Sequence, residues 1–221
     1  MEYAKARKGL NILFIGTVFE ILSYASVGIS YFILFSENRF TQDKAVDYVF
    51  DNPYYSICLF MVIFFSFTAF ILNIVGISTA SRAVKSFRGA IAFIIIGIIL
   101  TFVVSMLSGN RFFEIALDVA SVICRFMVYQ FVFNGIYDIA EKSKDQRLKE
   151  LSESSVMPVM TLFILSAVLA FIALLLEVGN DKIYNFVLTG TITPLLMIIA
   201  YAFILRAVRA ASKAEVICAK N

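Results

Sequence analysis

The placement of lysine and arginine between long apolar runs constrains this chain most. Six such runs, at about residues 10–35, 57–80, 90–107, 115–137, 156–178 and 185–206, each approach the ~20 residues that a bilayer crossing needs. Fourteen of the 19 basic residues flank the even crossings or the ends: Lys5, Arg7, Lys8; Arg82, Lys85, Arg88; Lys142, Lys144, Arg147, Lys149; Arg206, Arg209, Lys213, Lys220. The odd crossings carry four, Arg39, Lys44, Arg111 and Lys182, and Arg125 lies inside a run. Positive charge accumulates on the cytoplasmic side of membrane proteins, which places both termini in the cytoplasm. The expected fold is all-α: a polytopic membrane bundle of six transmembrane helices in three hairpins.

With 61% hydrophobic residues and a mean hydropathy of +0.88, a soluble globular domain is excluded. Six crossings consume about 140 residues, so the expectation is one transmembrane domain over 1–221. The net charge of +3 sits at membrane boundaries, where anionic lipid headgroups rather than nucleic acid are the natural partners. The first run is read as an uncleaved anchor. It continues past the cleavage-like Ser23-Tyr24-Ala25 and carries Glu20, unlike a short signal-peptide core. Cys58, Cys124 and Cys218 are too scattered for a disulfide framework and read as small hydrophobes.

Most runs carry a stripe of small or polar residues at helical spacing. The first has Gly9, Gly16, Thr17, Glu20, Ser23, Tyr24 and Tyr31; the second has Ser66, Ala69, Asn73, Gly76 and Ala80. The third has Ala90, Gly97, Thr101 and Ser108, and the fifth Ser166, Ala170, Ala173 and Glu177. Membrane helices pack through small residues, so these stripes should face one another while Phe, Ile and Leu face lipid. Asp43, Asp47 and Asp51 fall four apart in the longest outer segment and read as a solvated amphipathic helix. Residues 141–155 read as a polar extension of the fourth helix, with Glu141, Asp145 and Lys149 as i,i+4 neighbours. Pro158 then falls in the first turn of the fifth helix.

Charges inside a bilayer are the strongest functional pointers. Glu20 lies ~16 Å into the first run and Arg125 ~18 Å into the fourth, so their depths match. A lone arginine at the bilayer centre costs ~2.5–3.5 kcal/mol, so a partner is expected. Asp118 lies two turns from Arg125 on the same helix face, with Tyr129 one turn beyond it, and Tyr24 follows Glu20. Glu20, Asp118, Arg125, Tyr129 and Tyr24 therefore form the expected ligand-binding or intramembrane polar network. Gln130, Asn134 and Tyr137 give the fourth helix a second polar face, as expected of a central helix. In the sixth run, Thr189, Thr193 and Pro194 mark a kink, because a mid-helix proline leaves a carbonyl without its usual donor.

Absences narrow the chemistry. The chain has no histidine and no Walker A, GxSxG, HExxH or CxxC motif, so neither an enzyme nor a metal or cofactor is expected. The stretches RKGLNILFIGTVFEIL, ILNIVGISTASRAVKSFRGAIAFIIIGIIL and ILRAVRAASK resemble a set of small bacterial six-span integral membrane proteins. The shared features are Glu20-Ile21-Leu22 and Gly76…Ala80-Ser81. The resemblance implies a bacterial cell membrane and no particular substrate. Two readings stay open. One is a transport or substrate-binding subunit favouring anions; the other is a structural or regulatory partner of another membrane protein or of itself.

Overall fold

A computed structural model describes residues 2–36, 52–106, 111–178 and 187–214. Their secondary structure is entirely helical: α1 (Glu2–Ser36), α2 (Pro53–Ser81), α3 (Phe87–Met106), α4 (Arg111–Ser143), α5 (Gln146–Val178) and α6 (Thr193–Ser212), with a π-helical turn, Leu188–Ile192, leading into α6. Among the described residues, four of these are long and apolar enough to cross a membrane: α1, α2, α5 and α6 with its π turn. In α3 the described side chains give the apolar stretch Phe87–Leu100, within a helix of 20 residues. The Asp43, Asp47 and Asp51 segment and Cys218 lie outside the described residues.

The distribution of side chains is that of a protein dissolved in lipid. Phe60, Ile63 and Phe67 on α2 are each about two-thirds exposed, at 68%, 68% and 64%. Ala69, Ala80, Ala200, Ala207 and Ala211 expose nothing. Contiguous apolar surface of this kind is incompatible with water but costs nothing in a hydrocarbon solvent, where small residues instead decide which faces pack. This is a membrane protein.

The helices close into a ring in chain order, each touching its neighbours and α6 returning to α1. Within the ring α1 packs most extensively on α2, and α2 touches α3 least. The α1–α2 contact is built from the two small-residue stripes. A β-carbon placed on Gly9 would lie 2.5 Å from the Ala80 backbone nitrogen, and one on Gly76 would lie 2.7 Å from that of Leu13. Gly16 lies under the Asn73 side chain, and Ser23 and Ser66 share a hydrogen bond of 2.6 Å. Only residues without bulk allow two helix backbones this close. On α5, Ser166 and Ala173 are buried as expected, but Ala170 is exposed.

Asn52 caps α2, accepting from the backbone nitrogens of Tyr54 and Tyr55, with Pro53 in the tolerated first turn. The polar 141–155 segment departs from its expected place. It mostly extends α5, not α4, because Lys144 adopts a left-handed backbone (φ 55) that ends α4. Asp145 then caps α5 by accepting from the Leu148 nitrogen at 3.0 Å. Glu141, Asp145 and Lys149 are thus not neighbours on one helix, and Pro158 lies inside α5 rather than in its first turn. Lys149 instead lies over the Tyr137 ring at 5.0 Å, and hydrogen bonding to Tyr137 raises its ammonium above the ordinary lysine range. Ser152 ties the hairpin together by donating to the Phe133 carbonyl at 3.1 Å.

Candidate functional site: the Arg125 cavity

The small-residue seam holds α1 so that Glu20 and Tyr24, one turn apart, point away from lipid. Asn73 of α2 donates to Glu20 Oε1 at 3.3 Å. The backbones of α1 and α4 stay largely apart, and Arg125 bridges them by donating from Nη1 to the Tyr24 hydroxyl at 2.8 Å. Tyr24 stacks on Tyr201 of α6 at 5.7 Å. Tyr201 meets Tyr129 edge-on at 5.6 Å, and Tyr129 stacks on Phe163 of α5 at 5.7 Å. Tyr129 and Tyr201 are 5% and 1% exposed, so this aromatic cluster forms the wall behind the charges. The ring faces also suit a guanidinium, which is drawn to their negative quadrupole.

The expected pair is close but not joined. Glu20 and Arg125 both line one cavity of about 270 Å³, yet no ion pair within 4.0 Å links them among the described residues. Each takes a neutral partner instead, Asn73 and Tyr24. The guanidinium offers five donors. One is engaged by Tyr24, and Arg125, an exposed residue, lines the cavity. Asp118 falls on α4, but its side chain lies outside the described residues. The remaining lining comes from α2 and α3: Phe70, Asn73, Ile74 and Ile77 face Phe93, Ile94, Gly97 and Ile98, with Cys124 and Ser121 of α4. The cavity therefore lies behind the α2–α3 junction, where the ring is loosest.

Arg125, Glu20, Tyr24 and Tyr129 thus lie around one cavity, while α4 is a member of the ring and not its axis: Ile123 is 54% exposed. Gln130 donates to Asn134 at 3.4 Å, and its own Oε1 is buried without a partner among the described residues. Sequence reasoning assigns Asn73 to packing only and passes over Tyr201. Both were findable, Asn73 as the one amide on the α2 stripe and Tyr201 as the polar-tipped member of the Met197, Ala200, Tyr201, Ile204 face.

The kink residues lie apart from this cavity. Strain before Pro194 is absorbed by the π turn, closed by the Thr193 nitrogen donating to the Leu188 carbonyl. Thr193 Oγ1 is buried with no hydrogen-bond partner among the described residues, so none of these restores the lost bond through it. Thr189 lies in the same π turn and Pro194 is buried. Gly190 packs on the Tyr31 ring, and a β-carbon there would collide with it. The turn thereby docks α6 against α1. Among the described residues no group of histidine, cysteine or carboxylate side chains has the makings of a metal site. Comparison of the chain with models of protein families, with curated proteins and with solved structures finds no match.

Proposed function

We propose that this is a six-span, non-enzymatic protein of a bacterial cell membrane, with both termini cytoplasmic, that binds a small anion at Arg125 as a transport or substrate-binding subunit. One observation carries the reading: the Arg125 guanidinium borders an open cavity while bonded to a neutral phenol, Tyr24, rather than to Glu20. A guanidinium held this way keeps donors for a carboxylate or phosphate, which it matches in geometry. The charge alternation supports the topology, with α3 and α4 joining the four candidate spans found among the described residues.

A thermal-shift screen of small carboxylates and phosphates on the detergent-solubilised protein tests the binding site. A stabilising anion whose effect disappears in Arg125→Gln is the expected result. A stabiliser that acts equally on that variant removes Arg125 from the site. For the topology, a cysteine placed at 145 should resist impermeant reagents added outside intact cells, and labelling there defeats the six-span arrangement.

The competing reading is a scaffold for another membrane protein or a second copy. It draws on Glu20, which shares the cavity and offsets the arginine charge. Under that reading no anion stabilises the protein, and Glu20→Gln and Arg125→Gln each lower its melting temperature.

A further inference from the structure

A second cavity, of about 890 Å³, lies where the α4–α5 turn meets the end of α6. Four bases converge on it: Lys144 from the turn, Arg147 from α5, and Arg206 and Lys213 from α6. Two acids share the lining, and both are engaged by neutral donors. Asp145 accepts from the Leu148 nitrogen at 3.0 Å, and Glu150 accepts from Gln146 Nε2 at 3.0 Å. Arg147 and Arg206 form no ion pair within 4.0 Å among the described residues. The lining carries four bases against two acids, so the cleft is net cationic.

The backbone of Lys144 is the independent observation. Its φ of 55 is a conformation in which glycine is free and a lysine side chain is strained. Glycine at this position would end α4 at lower cost, so the fold gains nothing from the side chain that stands there. What lysine adds is a charge in the lining of the cleft, and backbone strain of this kind gathers at functional sites.

Depth selects the ligand. The apolar run of α5 begins at Val156 and that of α6 ends at Leu205, so the cleft sits just beyond the hydrocarbon. Leu151, Ala210 and Ala214 interrupt its charged lining. A cationic cleft at that depth meets the headgroup of a lipid whose acyl chains lie in the adjoining hydrocarbon, an anchorage that a free phosphate lacks. We infer that the cleft formed by Lys144, Arg147, Arg206 and Lys213 is a binding site for the phosphate headgroup of an anionic phospholipid. It is separate from the Arg125 cavity and does not depend on a ligand there.

Native mass spectrometry of the full chain, released from detergent with phosphatidylglycerol or phosphatidylcholine of matched chains, tests this. Phosphatidylglycerol should be retained in preference. A juxtamembrane base contributes ~1 kcal/mol, or about fivefold in affinity. Lys144→Gly should therefore lower retention about fivefold while leaving the melting temperature unchanged or raised, which no merely structural lysine would do. The double variant Arg147→Gln, Arg206→Gln should lose about 25-fold. Equal retention of the two lipids, or wild-type retention by Lys144→Gly, overturns the proposal. So does displacement of the lipid by glycerol phosphate at matched concentration, since that identifies a soluble phosphate as sufficient.

Discussion

Helix α2 has two neighbours and treats them differently. Toward α1 it presents Ser66, Ala69, Asn73, Gly76 and Ala80, and the backbones come close enough that no β-carbon fits at Gly9 or Gly76. Toward α3 it presents Phe70, Ile74 and Ile77, the helices scarcely touch, and a cavity opens behind them. In lipid there is no hydrophobic force to draw large apolar side chains together, so contact follows small residues and polar bonds. The same helix is clamped on one side and loosely held on the other. Asn73 lies on the boundary, beside Gly16 on the clamped side and lining the cavity on the other.

Single substitutions sharpen that contrast. Gly76→Val should have the largest effect, at ~3 kcal/mol, because the clash is with Leu13 backbone that cannot yield. It is read as a fall in melting temperature in detergent. Gly97 lies on the loose side. Among the described residues, a β-carbon added there would meet Cys124 Cβ at 3.7 Å, an ordinary contact. Gly97→Ala should leave stability unchanged or raise it by up to ~1 kcal/mol through helix propensity. A large loss there would mean that the cavity side at Gly97 is packed as tightly as the α1–α2 seam.

Next comes the bridge across the bundle. A hydrogen bond to a charged group contributes ~1.5–3 kcal/mol, so Tyr24→Phe should cost an amount in that range. A double-mutant cycle should give more coupling for Tyr24 with Arg125 than for Glu20 with Arg125, since only the first pair is bonded. The reverse ordering would restore a direct ion pair. The smallest effect belongs to Ser23→Ala, which removes the bond to Ser66. Hydrogen bonds between membrane helices average ~0.6 kcal/mol, and a similar loss should appear in melting curves.

The clamped side is legible in the sequence because small residues at three- and four-residue spacing define a face without reference to any neighbour. The loose side is legible only in part. Glu20 and Arg125 share a depth that can be counted from the helix ends, but the bearing of one helix relative to another leaves no trace in spacing. Their actual partners, Asn73 and Tyr24, therefore emerge only from the packing. Tyr201 escapes notice because one tyrosine among aliphatic neighbours resembles ordinary core. The end of α4 is hidden for a different reason. Lys144 makes a left-handed turn with no glycine to announce it, so the polar run reads as continuous helix.

The Arg125 side of the bundle is open and the α1–α2 side is closed, and cysteine reactivity tests that difference most directly. Ser121 lines the cavity and is half-buried, whereas Ala69 is fully buried on the clamped stripe. In a background of Cys58→Ser, Cys124→Ser and Cys218→Ser, reaction with a small permeant maleimide can be followed by mass. One variant carries Ser121→Cys and a matching one Ala69→Cys. Residue 121 should react in the folded protein, and residue 69 should react only after denaturation. Equal reactivity at the two positions, or a residue 121 that stays silent until the protein unfolds, would contradict an open Arg125 side.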